Sequence, residues 1–155
     1  MATLDSVLHL ALCSRRRLED VVGGLPWRYA SLLDRADARA ESGLETHVRL
    51  LLRSVGIRVE VQVQISGVGR VDLLVGDRLV IETDGREWHS DARSFADDKR
   101  RDLALVERGY LVLRLSSAQV MFESELVLDV VRRLLARGEH RWAARHRRAG
   151  LAVHL

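Results

Sequence analysis

The residues best equipped for chemistry lie between Asp72 and His89. Asp72 and Glu82 are carboxylates set into two apolar runs, residues 71–75 and 79–83, with Gly76-Asp77 between them, and Asp84 follows the second run. That dipeptide suits a tight hairpin turn. Strand alternation then puts Glu82 and Asp84 on one side, with Asp72 able to face them from the partner strand. Uncompensated anions among Val, Leu and Ile are costly or become protonated, so a cation is the natural compensation. Hard oxygen donors at this density favour Mg²⁺ or Mn²⁺ over zinc. Phosphodiester hydrolysis is a chemistry such a site can serve: it needs an activated water, a Lewis acid and a proton source for the leaving alkoxide. His89 follows one short loop after Gly85, and an imidazole is suited to the proton.

Several elements must position these groups. Ser42-Gly43-Leu44-Glu45 opens a helix as a capping box, with Leu44, Val48, Leu51, Leu52 and Val55 as its apolar stripe and Gly56 as its stop. In that reading the Glu45 side chain caps the Ser42 amide, worth about 1 kcal/mol. Residues 57–65 alternate as a half-buried strand, with Val59, Val61, Val63 and Ile65 expected on one face. A turn at 66–69 leads into the hairpin, which completes a three-stranded meander. Ser90 or Asp91 can cap a helix reaching Arg108 and closed by Gly109, and residues 110–115 form the next strand. Strand, helix, strand implies a right-handed parallel crossover. The fold class is therefore α/β, a mixed central sheet of antiparallel meander plus parallel strand flanked by helices. The run Asp97-Asp98-Lys99-Arg100-Arg101-Asp102 reads as a salt-bridged helix face; alternatively, Arg101 holds a scissile phosphate or orients an active-site carboxylate.

Before this core, residues 1–41 read as a helical arm. Thr3 is expected to cap a first helix (Leu4, Val7, Leu8, Ala11) and Ser14 a second (Leu18, Val21, Val22). Pro26 should open a third, carrying Tyr29, Leu32, Leu33 and Ala36. Arg15-Arg16-Arg17 reads more simply as a solvated face than as a DNA contact. Residues 42–137 form the core domain, whose last helix starts at Ser124. Residues 138–155 form a basic tail in which Arg141, Arg145, Arg147 and Arg148 interleave with Trp142. The tail is either a phosphate-tracking arm with a stacking aromatic or a packed terminal helix.

Asp72 with Glu82-Thr83-Asp84 on the next strand resembles the metal-binding core of the PD-(D/E)XK, or restriction-endonuclease-like, superfamily. The string 80–89, Val-Ile-Glu-Thr-Asp-Gly-Arg-Glu-Trp-His, resembles its very short patch repair endonuclease branch and related bacterial proteins of unknown function. The likeness covers about residues 42–135. It implies a Mg²⁺- or Mn²⁺-dependent DNA endonuclease or nickase, connected with DNA repair, in a restriction-endonuclease-like fold. Carried over residue by residue, it implies Asp72 as central metal ligand with Glu82, Asp84 and the Thr83 carbonyl beside it. It also implies Glu45 as the acidic residue of the first core helix, His89 beside the scissile phosphate and Trp88 as a DNA-inserting aromatic. A core tryptophan is the other reading of Trp88, and a surface imidazole that of His89. The sequence departs from the pattern at Asp84, where many members have Lys and the repair enzyme His. It also has no cysteines for that enzyme's zinc site.

Composition sets wide bounds. At 155 residues, 47% hydrophobic, the chain fits one domain, and its formal net charge of +3 permits a nucleic-acid partner. Lys99 is its only lysine; the arginine bias suits bidentate phosphate contacts, although a GC-rich genome explains it more simply. One cysteine, Cys13, excludes an internal disulfide. With no signal peptide or membrane-length apolar run, a soluble cytoplasmic protein is expected, with DNA as partner and homodimerisation open. The alternative function is a non-catalytic nuclease-fold module, DNA-binding or regulatory, of toxin–antitoxin type.

Overall fold

The two apolar runs form β2 (Gly69–Val75) and β3 (Leu79–Asp84), an antiparallel pair with Val75 opposite Leu79. Their turn requires Gly76, at φ +66°, because a side chain there would run into the His140 carbonyl. That carbonyl accepts hydrogen bonds from the Asp77 and Arg78 amides. β1 (Val59–Ile65) pairs antiparallel with β2, and β4 (Leu111–Ser116) pairs parallel with β3, giving the order β1-β2-β3-β4. This computed structural model describes residues 1–84 and 92–151, without the side chains of residues 92–98.

Helices cover both faces of the sheet. On one face α4 (Gly43–Ser54), α6 (Ser117–Phe122) and α7 (Ser124–Ala136) place Val48, Leu52, Val120, Val127 and Val131 against Val61, Leu73 and Ile81. On the other, Leu105 of α5 (Ala92–Glu107) joins Ile65, Val71, Leu74 and Val80. Each such side chain buried in full contributes about 1.5–3 kcal/mol. α6 begins with a capping box between Ser116 and Gln119, a helix the sequence reading passed over.

β1 does not keep one face. Val59 and Val61 belong to the first core, whereas Val63 and Ile65 pack into the second. The change falls at Gln62, which adopts φ +54° in the left-handed region. β2 turns over beside it: Val71 lies in the second core and Leu73 in the first.

The ends are knitted into this core by polar contacts. In α1 (Ala2–His9) the carboxylate of Asp5 is fully buried. It accepts hydrogen bonds from Arg49 (2.6 Å) and Thr46 (2.6 Å) of α4 and from the Asp37 amide (2.8 Å). Removing one partner of such a pair would leave an uncompensated buried charge, at a cost of about 3–5 kcal/mol. Met1, not Thr3, stands at the start of α1, and Ala11, at φ +50°, lies beyond its end. Ser14 caps α2 (Arg15–Gly23) through the Arg17 amide, as expected. Pro26 opens only a 3₁₀ turn, Trp27–Tyr29, before the four-residue α3 (Leu32–Arg35).

After α7 the chain returns to the β2–β3 turn and ends its described part beyond α8 (Ala144–Arg148). Trp142 is 5% exposed and meets Tyr110 edge-on at 5.2 Å, while its amide donates to Asp77. It is a core residue, not a free stacking platform. Among the described residues no helix is long and apolar enough to cross a membrane.

Candidate active site

β3 and β4 run parallel, and the carboxyl end of β3 carries two acids. Glu82 and Asp84 lie on β3, opposite Arg114 and Ser116 of β4. Glu82, Asp84 and Arg114, with Glu41, Ser42, Glu45, Gln62, Arg70, Asp72, Thr83 and Arg101, line an open cleft of about 390 Å³. The end of parallel strands is where open α/β sheets generally leave room for a ligand. Its walls come from three layers: α4 gives Glu45, the sheet gives the acids, and α5 gives Arg101.

Asp72 is fixed by the neighbouring strand. Its Oδ2 accepts from the Thr83 amide at 2.9 Å and the Thr83 hydroxyl at 3.1 Å. Glu82 is buried at 5% exposure, and Arg101 reaches its Oε2 at 3.3 Å. Its other oxygen, Oε1, is buried with no hydrogen-bond partner among the described residues. Burial first, then the charge of Asp72, push the Glu82 carboxyl up to about 7. Asp84 sits at the exposed rim, 3.6 Å from Arg114, which also pairs with Asp102 of α5.

Glu45 combines two settings. The Ser42 hydroxyl accepts from the Glu45 amide at 3.1 Å, so the helix cap is present. The carboxylate does not return to the Ser42 amide. Its Oε2 instead accepts from the Glu41 amide at 3.0 Å and from the Gln62 side chain at 2.7 Å. Burial raises its pKa and Asp72 adds to the rise, while the Gln62 and Glu41 hydrogen bonds oppose it.

The structure thus brings Asp72, Glu82, Thr83, Asp84, Glu45 and Arg101 together. Gln62, Arg114 and the Arg70–Glu41 ion pair complete the cleft and were missed. The strand register of β4 would have found Arg114, since it is the polar residue level with Glu82. Trp88 and His89 lie outside the described residues. Arg141 and Arg145 lie near the β2–β3 turn, and from there to Asp84 runs the length of β3, roughly 16 Å. Arg145 pairs with Glu139 at 3.2 Å.

Among the described residues no three His, Cys, Asp or Glu side chains are grouped to enclose an ion alone. Two carboxylates completed by a carbonyl and waters are nevertheless a common Mg²⁺ arrangement. Buried Glu82, with an Oε1 unpartnered among the described residues, beside the ordered carboxylate of Asp72 fits it.

Comparison with known proteins agrees with this fold. Residues 44–135 match the family model REase_MTES_1575, which is restriction-endonuclease-like. Two uncharacterized proteins of Mycobacterium tuberculosis, MT2308 (strain CDC 1551 / Oshkosh) and Rv2248 (strain H37Rv), are each 35% identical over 124 residues. The match takes in 73% of this chain and 46% of theirs, so the chain spans about half the length of these relatives. The catalytic domain of the homing endonuclease I-Bth0305I has the same fold, with a TM-score of 0.51 and 22% identity. That likeness covers 62% of this chain and 97% of the domain.

Proposed function

Because this chain belongs to the restriction-endonuclease-like REase_MTES_1575 family, we propose that it is a metal-dependent nuclease hydrolysing DNA phosphodiester bonds. The observation that carries the reading is buried Glu82, whose Oε1 has no partner among the described residues, in a cleft it shares with Asp72, Glu45 and three arginines. An acidic cleft repels phosphate unless a cation stands between them.

Asp72, Glu82 and the Thr83 carbonyl would hold a Mg²⁺ or Mn²⁺ ion, with Asp84 at the rim. When bound, the ion supplies a Lewis acid for the phosphoryl oxygen and lowers the pKa of its water. Thr83 holds the Asp72 carboxylate in one orientation through its amide and hydroxyl. Glu45, held by Gln62 and the Glu41 amide, is placed to orient a water in the cleft. Arg101 and Arg114 provide positive charge for negative charge developing on the phosphate. They occupy the role that a strand lysine would otherwise fill. His89 is proposed as proton donor to the leaving oxygen, Trp88 as a DNA-facing aromatic and Arg141 as an outlying phosphate contact. The string 80–89 resembles the very short patch repair endonucleases, which makes mismatched duplex a substrate to include.

The test is cleavage of supercoiled, linear, mismatched and single-stranded DNA with Mg²⁺ or Mn²⁺, and with chelator added. Turnover of at least one form, abolished by the chelator, is expected. Tight DNA binding without cleavage of any form would instead favour a nuclease-fold binding module.

A further inference from the structure

Gln62 stands out among the described non-glycine strand residues of the sheet. It lies in the interior of β1 at φ +54°, a region disfavoured for residues carrying a Cβ and suited to glycine. Val61 pairs with Leu73 and Val63 with Val71, so Gln62 stands level with Asp72. At this level both strands exchange faces: residues before and after it contribute to opposite cores. An uninterrupted strand could pair here without strain, because the register on both sides is continuous. The strained conformation instead accompanies one specific contact. The Gln62 amide donates to Glu45 Oε2 at 2.7 Å inside the acidic cleft. Backbone strain of this kind persists where surrounding structure over-determines it, commonly at functional sites.

We propose that Gln62 is a positioning residue: its left-handed backbone turns β1 over opposite Asp72 and aims its amide at Glu45, setting where that carboxylate stands relative to the metal-binding acids. The proposal rests on the nuclease reading of the cleft. Gln62 touches neither metal nor DNA and acts through Glu45. A carboxamide suits the task because it donates to a carboxylate without adding charge among Glu45, Asp72 and Glu82. Asparagine tolerates the same φ but is one methylene shorter.

The experiment compares Gln62→Gly, Gln62→Ala and Gln62→Asn with the native chain by metal-free thermal unfolding, Mn²⁺ calorimetry and single-turnover DNA cleavage. Gln62→Gly and Gln62→Ala lose the same hydrogen bond, but only glycine relieves the φ. Gln62→Gly should therefore melt above Gln62→Ala by roughly 2–4 °C, the reverse of the usual order in a strand interior. Both should cleave about 10- to 100-fold more slowly than native, with the loss in kcat and KM for DNA little changed. Gln62→Asn should keep the backbone and fail equally in turnover. Were Gln62 merely structural, the recovered stability of Gln62→Gly would restore cleavage; that result overturns the proposal, as does a Gln62→Gly that melts below Gln62→Ala. If the native chain binds Mn²⁺ but cleaves nothing, the nuclease reading fails alone. Positioning is then decided by the crystal structure of Gln62→Gly, with a displaced Glu45 carboxylate expected and an unmoved one overturning it. A native chain that neither cleaves nor binds Mn²⁺ overturns both.

Discussion

Glu82 of β3 and Arg114 of β4 stand level in the parallel strand pair, and Arg114 bridges from there to Asp84 and Asp102. The acidic side of the cleft is thus balanced by a cation from the adjacent strand. Lysine is missing from the β3 motif, but positive charge is not missing from the site. Replacing Arg114 with Met keeps most of the side-chain volume and removes the charge. Destabilisation of about 1–2 kcal/mol is expected in urea unfolding, since Asp102 loses its partner while half-buried. An unchanged midpoint would mean that Asp102 is satisfied by solvent.

Glu82 makes the stability of the metal-free protein depend on pH. Its folded-state pKa is raised from 4.5 to about 7, chiefly by burial. A carboxyl raised in this way contributes stability fully below its unfolded value and loses that contribution as pH climbs through the folded one. Glu82→Gln has no such loss. Its stability relative to the native chain should grow between pH 4.5 and 8 by on the order of 1–3 kcal/mol, measured by thermal melts in chelator. A pH-independent difference would show that Glu82 is ordinarily ionised in the fold.

The tail serves packing first. Trp142→Ala should cost about 3–5 kcal/mol, because the indole fills the core beside Tyr110. Deleting the chain after Gly138 would remove that indole, so phosphate contact is better tested by point changes. Arg141→Ala with Arg145→Ala should lower the salt dependence of log K for DNA by about one unit, from Arg141, as Arg145 is paired with Glu139. An unchanged slope would confine the DNA footprint to other surfaces.

What could be read from sequence, and what could not, follows from the range of the interactions. The hairpin at Gly76, the Ser42 cap and the strand-helix-strand run to β4 depend on near neighbours, and each was legible. Asp5 and Arg49 are separated by 44 positions, and nothing in either neighbourhood announces the pair. An alternating Val59, Val61, Val63 pattern carries no information about the sign of φ at Gln62, so the change of face was invisible. The Glu45 carboxylate was expected on the Ser42 amide but bonds the Glu41 amide and Gln62, a contact that required the sheet to place Gln62 beside it. Trp142 is buried because the tail folds back on the β2–β3 turn, a long-range contact that its own neighbours do not encode.

His89 separates catalysis from binding. If it donates the proton, His89→Ala should slow single-turnover cleavage by about 10²–10⁴-fold while Mn²⁺ and DNA affinities stay near native. Cleavage within a few-fold of native removes it from the mechanism. Joint loss of metal binding would make it a ligand or a support.

Asp72 bears most directly on the nuclease function, because Thr83 fixes its carboxylate beside a Glu82 oxygen that has no partner among the described residues. The decisive measurement is nicking of supercoiled plasmid in Mn²⁺ by the native chain and by Asp72→Asn, each confirmed folded by its melt. Metal-dependent nicking by the native chain, with none detectable for Asp72→Asn, is expected. Equal nicking by both, or none by the native chain on any DNA form, would contradict a metal-dependent nuclease site in this cleft.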